Sequence, residues 1–308
     1  MKLGQRRGSL LALGVVVLLF MTACSSIATT GSGKPPSTTL QVLQNTVNAM
    51  KQLKTEHVAI DSTNIVNMGT PSSTSTSGVP TQSAITVKGN GDVVLPDQTS
   101  MQVSLGQTAG SQSTPGIAIS EIITGQKLYI QNSKGQWFVL DMSKLKGVTG
   151  NPLSGADVTS YNNLLALAEK ASFTDRGTEK LNGESLHHIV VTFGKNSLAD
   201  LLKASGQSLP ASQQANMDQL LKDITVSRLS LDLWIDDATS YVHRLELHMT
   251  MTFNMGAAVT PTASTKALLS NIALDSDTVI DYSKFNAPVT ITAPANATPT
   301  DDLLSVFS

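Results

Sequence analysis

The sequence predicts an α+β fold, a curved antiparallel half-barrel sheet of about eleven strands with helices packed on its concave side. Apolar and polar residues alternate along many segments, which is the period of a strand with one buried face. Most of these segments follow one another directly, and this order excludes a parallel βαβ sheet. Helical spacing of apolar residues occurs in only four segments.

The longest alternating pattern spans Arg228–Phe253 and predicts two paired strands around a turn at 236–240. Both strands exceed the usual five or six residues. An apolar face of this length must be covered, and we expect helices and a lipid to share that role. A dry, filled core is the alternative for the same residues. The expected cavity-lining residues are Leu229, Leu231, Leu233, Ile235, Leu245, Leu247, Met249, Met251 and Phe253 of the hairpin, with Leu164 and Leu167 of a helix.

The amino terminus has the three parts of a signal peptide. Three basic residues precede the apolar run Leu10–Met21, which is too short for a comfortable membrane span. The sequence M-T-A-C that ends at Cys24 resembles the lipobox of bacterial lipoproteins, although leucine is commoner than Met21. The resemblance implies a signal peptide at 1–23 and diacylglycerol on Cys24. An ordinary secretory signal with a chance cysteine is the alternative reading.

Residues 24–37 are rich in Ser, Thr, Gly and Pro, and we expect them to form a flexible tether. Two or three acyl chains on Cys24 would hold the protein on a membrane, since one chain alone binds marginally. We therefore expect a lipid-anchored protein on the extracytoplasmic face of a bacterial cell membrane. Cys24 is also the single cysteine, so no internal disulfide is possible.

The first half of the domain begins with a helix capped by Thr38 or Thr39 and running to about Leu53, because apolar residues recur at helical spacing. Gly89 and Gly91 lie inside the second predicted strand and indicate a bulge or a sharp bend. Strands are predicted at 56–68, 85–95, 100–107, 117–124, 127–131 and 136–140.

The second half mixes helices with longer strands. Asn182–Gly183 is a strong signal for a tight hairpin turn. We predict one domain at 38–294 and a tail at 295–308. Helices are predicted at 158–171, 197–204 and 211–223, strands at 173–181, 185–193 and 268–278, and an extended segment at 288–294.

Several segments, in this order, resemble one family. They are QLKTEHVAI, VKGNGDVVLP, KLYIQNSKGQWFVL, EKLNGESLHHIVV, LDLWIDDATSYVHRLEL and VTITAP. Together with the lipobox they look like the LppX/LprG-type lipoproteins, whose fold is similar to that of LolA and LolB. The resemblance implies a half-open sheet over an apolar cavity for acyl chains, hence a monomer that carries or presents a lipid or glycolipid. The alternative is an envelope sensor or a module that binds a protein partner without lipid transport.

The sequence offers little support for catalysis, a metal or nucleic acid. Ser143 and Lys146 match S-x-x-K, but the further motifs of that enzyme class do not follow at a useful distance. The mildly acidic chain has no basic footprint for nucleic acid. We expect no enzyme activity and no cofactor besides a bound lipid. The histidines lack metal-binding spacing and are interpreted as surface or hydrogen-bonded residues: His57, His187, His188, His243 and His248.

Overall fold

The computed structural model describes residues 38–68, 82–110, 112–144, 171–194, 224–253, 272–301 and 306. In this part of the chain an α-helix, α1 (Thr38–Met50), precedes one twelve-stranded sheet. No helix in these ranges is long and apolar enough to cross a membrane. The strands are β1 (Thr55–Met68), β2 (Gln82–Val94), β3 (Gln98–Ala109), β4 (Gln112–Thr124), β5 (Lys127–Gln131), β6 (Trp137–Asp141), β7 (Ser172–Leu181), β8 (Glu184–Thr192), β9 (Ile224–Ile235), β10 (Val242–Phe253), β11 (Ile272–Ser283) and β12 (Thr298–Pro299).

The sheet is open and curved, with the order β12-β6-β5-β4-β3-β2-β1-β11-β10-β9-β8-β7. Neighbouring strands are antiparallel except β12, which pairs with β6 in parallel. The predicted α+β half-barrel is therefore confirmed, with twelve strands where about eleven were expected. The helices predicted at 158–171, 197–204 and 211–223 lie outside the described residues.

Helix α1 packs one apolar stripe against the sheet. Leu43 and Met50 of the helix, with Leu53 just beyond it, form a buried cluster with residues of β8, β9 and β10. The helix starts at Thr38 as predicted but ends at Met50, and a turn then brings Leu53 into the same cluster. We call the sheet face in contact with α1 the inner face and the opposite one the outer face.

The β9–β10 hairpin pairs the two strands predicted from Arg228–Phe253. Leu245 pairs with Leu233, and Met249 pairs with Leu229, so their side chains share the inner face. The connecting turn is held by Asp236, whose carboxylate accepts a hydrogen bond from the backbone N–H of Ala238. The long alternating pattern therefore predicted this pair of strands correctly.

Two other local predictions can be compared with the structure. At Asn182–Gly183 both residues have positive φ, +53° and +91°, which is the conformation of the predicted tight turn. The last long strand spans Ile272–Ser283, whereas 268–278 was predicted. Residues 268–271 lie outside the described residues, and the strand ends later than predicted because the alternation continues past Thr278, with Ile280 and Tyr282 on the inner face.

A bulge or a sharp bend was predicted at Gly89 and Gly91, and the bulge is wrong, because β2 pairs with both neighbours without a register shift. Gly91 is needed for close approach of β3 instead. A Cβ atom on Gly91 would overlap the carbonyl oxygen of Ser100 and lie 2.7 Å from Cα of Met101. A Cβ atom on Gly89 would make only ordinary contacts, the nearest at 3.4 Å.

The segment after β11 runs from β1 to the far side of the sheet. Near β1, the backbone N–H of Asn286 donates to the carbonyl of Thr55. At the other end, Thr300 donates to the carbonyl of Val139 in β6. Val306 is 1% exposed and packs in a cluster with the inner-face residues of β4, β5 and β6. Part of the predicted tail thus contributes to the sheet and its core.

We expect Gly91→Ala to lower the free energy of unfolding by about 2–3 kcal/mol, because the added methyl group overpacks against β3. Gly89→Ala, on the same face of the same strand, should change it by less than about 1 kcal/mol, since there the methyl group fits and the unfolded chain loses entropy. Urea unfolding of the two variants checks this. Equal effects would show that β3 does not approach β2 closely.

Candidate functional site

The inner face brings together all nine hairpin residues that the sequence predicted as cavity-lining. They share this face because each inner-face residue of β10 lies opposite an inner-face residue of β9. A register shift between Thr250 and Met251 places Met251 opposite Val226, so the apolar side chains stay on the same face beyond it. Cys24, Leu164 and Leu167 lie outside the described residues. Whether the nine residues line a cavity stays a prediction.

Burial along these nine residues is uneven. At one end, Leu229 and Met251 are buried in a cluster with Val226. At the turn end, Ile235 is buried in the α1 cluster, where it is 1% exposed. Between these ends the apolar side chains are only partly covered. These partly exposed residues are Leu231, Leu233, Leu245, Leu247 and Met249.

The apolar surface continues across the sheet towards β4. On β1 and β2 the inner face carries a second buried cluster that includes Val58, Ile60 and Val87. One row of paired residues crosses from Leu247 through Thr278, Ser62, Val87 and Leu105 to Ile117. Ile117, at the end of this row, is 53% exposed. The inner face is therefore a broad apolar surface with graded solvent access.

A small polar group interrupts this surface on β1 and β11. The hydroxyls of Ser62 and Thr278 lie 2.7 Å apart, and Asn64 donates to Ser62 at 3.1 Å. Ser276 donates to the amide oxygen of Asn64 at 2.7 Å. All four are at least nine-tenths buried. Because these side chains form hydrogen bonds with one another, their polar atoms are satisfied beside the apolar surface.

Two carboxyl groups of β1 and β4 also belong to the inner face. Glu56 follows the first residue of β1, is 8% exposed, and has no hydrogen-bond donor near its Oε2 among the described residues. Burial raises the pKa of Glu56 to about 7. Glu121 on β4 keeps partial solvent access, yet the surrounding protein excludes enough water to raise its pKa to about 7 as well.

The outer face is ionic. Asp232 lies 2.9 Å from Nε2 of His188 and 3.9 Å from Nε2 of His248, whose Nδ1 is 2.6 Å from Asp277. The imidazole of His188 also stacks on Trp234, with ring centroids 4.2 Å apart. These contacts stabilise neighbouring strands at a polar surface, where ion pairs contribute modestly.

Arg244 extends this outer network. Its guanidinium donates two hydrogen bonds to Asp281 on β11, at 2.7 and 2.8 Å. The hydrogen bonds to Asp281 raise the pKa of Arg244, so the charge is fixed. This bidentate pair cross-links β10 to β11 on the side opposite the apolar surface.

The other histidines are also paired with carboxylates. Burial lowers the pKa of His187, but hydrogen bonds from the ring to Asp175 and Asp237 outweigh this effect and raise it. His243 lies 2.6 Å from Glu184 and His57 lies 2.6 Å from Asp92. The interpretation of the five histidines as surface or hydrogen-bonded residues is consistent with these contacts.

The described residues do not assemble a metal centre. No group of three or more histidine, cysteine or acidic side chains in these ranges could hold a metal ion. The hydroxyl of Ser143, the serine of the S-x-x-K match, donates to Asp141 at an exposed position. Lys146 lies outside the described residues.

The sequence interpretation missed Glu56, Glu121 and the polar group of β1 and β11. A signal was present for Glu121, which alternates with Ile119 and Ile123 and so belongs to the apolar side of its strand. Glu56 likewise falls in register with Val58 and Ile60. A carboxyl group in an apolar register is the pattern that would have found both.

Comparison with solved structures finds matches of low sequence identity and low TM-score. The chain is similar to the lipoprotein LppX of Mycobacterium tuberculosis, with 16% identity, coverage of 82% of this chain and 97% of LppX, and a TM-score of 0.39. It is also similar to LprF of Mycobacterium bovis, with 16% identity, coverage of 85% of this chain and 100% of LprF, and a TM-score of 0.43. A third match is a domain from Vibrio parahaemolyticus described as an outer membrane lipoprotein-sorting protein. It has 12% identity, coverage of 82% of this chain and 93% of the domain, and a TM-score of 0.23.

LppX is one of the lipoproteins that the sequence segments resemble. No curated protein matches the chain. The model of a family of unknown function, DUF6612, matches residues 38–300. This match covers most of the sequence, and the chain therefore belongs to the DUF6612 family.

Proposed function

We propose that the inner face binds lipid acyl chains and that the protein is a membrane-anchored lipid carrier or lipid-presenting protein. One observation carries the proposal. Five adjoining apolar side chains of β9 and β10, from Leu231 to Met249, keep solvent access between two buried clusters. An apolar surface left partly open in this way is a surface that a hydrocarbon chain can cover.

The energetics favour this ligand class. Each methylene group removed from water contributes about 0.8 kcal/mol, so two long acyl chains release well over about 10 kcal/mol before entropy costs. Met249 adds adaptability, because an unbranched thioether packs well against irregular guests. Binding of this strength implies that the protein changes shape when it releases its ligand.

The polar group of Ser62, Asn64, Ser276 and Thr278 is compatible with an acyl ligand. Its hydroxyl and amide groups bond one another. A hydrocarbon chain that lies over it therefore removes no hydrogen bonds to water. At these four residues, a bound hydrocarbon chain would therefore replace water without the cost of leaving polar groups without hydrogen bonds.

Anchoring through Cys24 belongs to the same proposal. Lipidation there would place the protein on the extracytoplasmic face of the cell membrane. The tether of residues 24–37 reaches about 45 Å when fully extended, enough for the domain to move against the bilayer surface. A tethered domain with an acyl-binding face can take up or deliver a lipid without leaving the membrane.

We expect protein lacking residues 1–24 to co-purify with diacyl lipids, detected by mass spectrometry of an organic extract. Leu247→Trp should cut this lipid content by about half or more with little loss of stability, because the indole occupies the space of the ligand. Thr250→Trp, on the outer face of the same strand, is the matched control and should retain lipid. Clean extracts from unsubstituted protein, together with no uptake of offered lipid, would contradict the proposal.

Replacing Cys24 by alanine should move the protein from the membrane fraction to the soluble fraction, because the acyl chains that anchor it are lost. Ser25→Ala, one residue further on, should leave the protein with the membrane. Fractionation followed by mass spectrometry of the amino-terminal peptide checks both variants. An unmodified Cys24 peptide from membrane-bound protein would show that anchoring has another origin.

A further inference from the structure

The β7–β8 hairpin is attached to the rest of the sheet along a short boundary. β8 pairs with β7 over all of Glu184–Thr192 but with β9 only over residues 187–192. One further backbone hydrogen bond, from the N–H of Phe193 to the carbonyl of Leu229, continues the pairing with β9. The hairpin is therefore paired more extensively within itself than with β9. We call the boundary between β8 and β9, with the β9–β10 turn beside it, the edge joint.

Histidines provide the ion pairs of the edge joint. Among the described residues, every ion pair that crosses it consists of a carboxylate and an imidazole. Such a pair has two opposite charges only while its histidine is protonated. The three pairs are His188 with Asp232 of β9 at 2.9 Å, His187 with Asp237 of the β9–β10 turn at 3.1 Å, and Glu184 of β8 with His243 of β10 at 2.6 Å.

Other boundaries of the sheet have a permanent cation as well. Arg244 donates two hydrogen bonds to Asp281 across β10 and β11, and Lys88 donates to Asp61 across β1 and β2. Arginine and lysine stay charged throughout the neutral pH range, whereas histidine gains and loses its charge there. The edge joint is thus a boundary whose described ion pairs all weaken over one pH range.

The geometry around His187 requires the protonated ring. Nε2 lies 2.8 Å from the carboxylate of Asp175 on β7, and Nδ1 lies 3.1 Å from that of Asp237. A carboxylate only accepts hydrogen bonds and a neutral imidazole has one N–H, so both hydrogen bonds form only when both nitrogens are protonated. Burial lowers the pKa of His187, but the hydrogen bonds to Asp175 and Asp237 outweigh this effect and raise the pKa above its usual 6.5.

His188 also faces two carboxylates. Besides Asp232, Glu179 of β7 lies 3.0 Å from Nδ1, although the two are not aligned for a hydrogen bond. The ring stacks on Trp234, and His248 of β10 lies 3.9 Å from the far side of Asp232. The two carboxylates therefore attract a charged ring from both sides of β8.

His243 completes the group. It faces Glu184 at 2.6 Å, Asp236 of the turn at 4.0 Å and the ring of Phe285. On the β7 side a cation, Arg176 in the bulge of that strand, acts on Glu179. Each of the three imidazoles thus has two acidic neighbours, and loss of its proton weakens its contacts with both.

The edge joint borders the partly exposed apolar surface of the inner face. Across it Ile189 lies opposite Leu233, and Val191 lies opposite Leu231. Ile189 and Val191 are buried in the cluster of α1, and this apolar packing does not depend on pH. It keeps the hairpin attached when the ion pairs weaken, so the joint opens more often without coming apart. Each opening exposes more of Leu231 and Leu233.

We propose that the edge joint is a pH-sensitive boundary, closed while His187, His188 and His243 are protonated and opening more often as the pH rises and they become neutral. The inference goes beyond the proposed function and does not require a bound lipid, because it concerns the strands alone. In a protein that binds acyl chains beside the joint, as proposed above, more frequent opening would let the ligand leave more readily at higher pH.

The direction of the pH dependence follows from linkage. Folding raises the pKa of His187, so the stability gained from its protonated contacts is complete below pH 6.5, the pKa in the unfolded chain. That stability is lost as the pH rises through the higher pKa of the folded state. The joint should therefore be tighter at pH 6 than at pH 9.

Amide hydrogen exchange of the full chain in detergent micelles, at pH 6 and pH 9 and corrected for intrinsic exchange rates, measures this opening. The main variant is Glu184→Gln with Asp237→Asn, whose side chains are 57% and 67% exposed, so the substitutions spare the core. A second variant, His243→Lys, gives Glu184 a partner that stays charged. The matched control is Asp92→Asn, which removes a carboxylate 2.6 Å from His57 on β1.

In the unsubstituted protein the corrected exchange of β8 and β9 amides should rise about tenfold from pH 6 to pH 9, because three modest ion pairs weaken together. Exchange between β10 and β11 should rise about threefold or less, since Arg244 keeps its charge. The rise at β8 and β9 should fall to about twofold in the double variant and about fivefold in His243→Lys, according to the number of imidazole pairs that remain. Asp92→Asn should keep the tenfold rise.

Two results would overturn the inference. One is an equal rise in the unsubstituted protein and the double variant, and the other is a rise in His243→Lys as large as that of the unsubstituted protein. Burial also gives Glu56 and Glu121 a pKa of about 7, but both are unchanged in these variants and contribute equally to each. Exchange between β10 and β11 at pH 6 shows that each variant is folded. Lipid is not measured, so the proposal of acyl binding stands or falls separately.

Discussion

Side chains alternate across a strand, so a shift of one residue between β1 and β11 would move the apolar residues of one strand into water. The register is therefore the constraint on which the structure depends. It aligns Ile60 with Ile280 and Leu245, and it extends the same apolar surface over the neighbouring strands. The ionic contacts of the outer face, such as Arg244 with Asp281, hold the same register from the other side.

A surface of this breadth requires more cover than α1 provides within the described residues. The helix buries the turn end of β9 and β10, and Val306 helps to cover β4–β6. Between these areas the side chains from Leu231 to Met249 stay partly exposed. Partial exposure of adjoining apolar residues is costly in water unless another molecule covers them. The proposed lipid ligand follows from that requirement.

The sequence predicted the sheet well because alternation and turn residues are local signals. Long alternation in Arg228–Phe253 and the Asn182–Gly183 turn were sufficient for two hairpins. Other features depend on distant contacts, and local patterns do not contain them. Gly91 looked like a bulge because its closeness to β3 is tertiary, and β12 is a two-residue strand whose pairing with β6 has no sequence period. The burial of Glu56 likewise depends on the assembled face, although its apolar register was visible in the sequence.

The most direct test of the account is to locate a bound acyl chain. A dioleoyl-type lipid with a photoreactive diazirine in one chain would be bound to the purified protein, irradiated, and the cross-linked peptides mapped by mass spectrometry. If acyl chains lie along the inner face, the cross-links fall on inner-face residues of β9 and β10, Leu231, Leu247 and Met249 above all. Cross-links confined to outer-face residues such as Trp234 and Thr250 would contradict it.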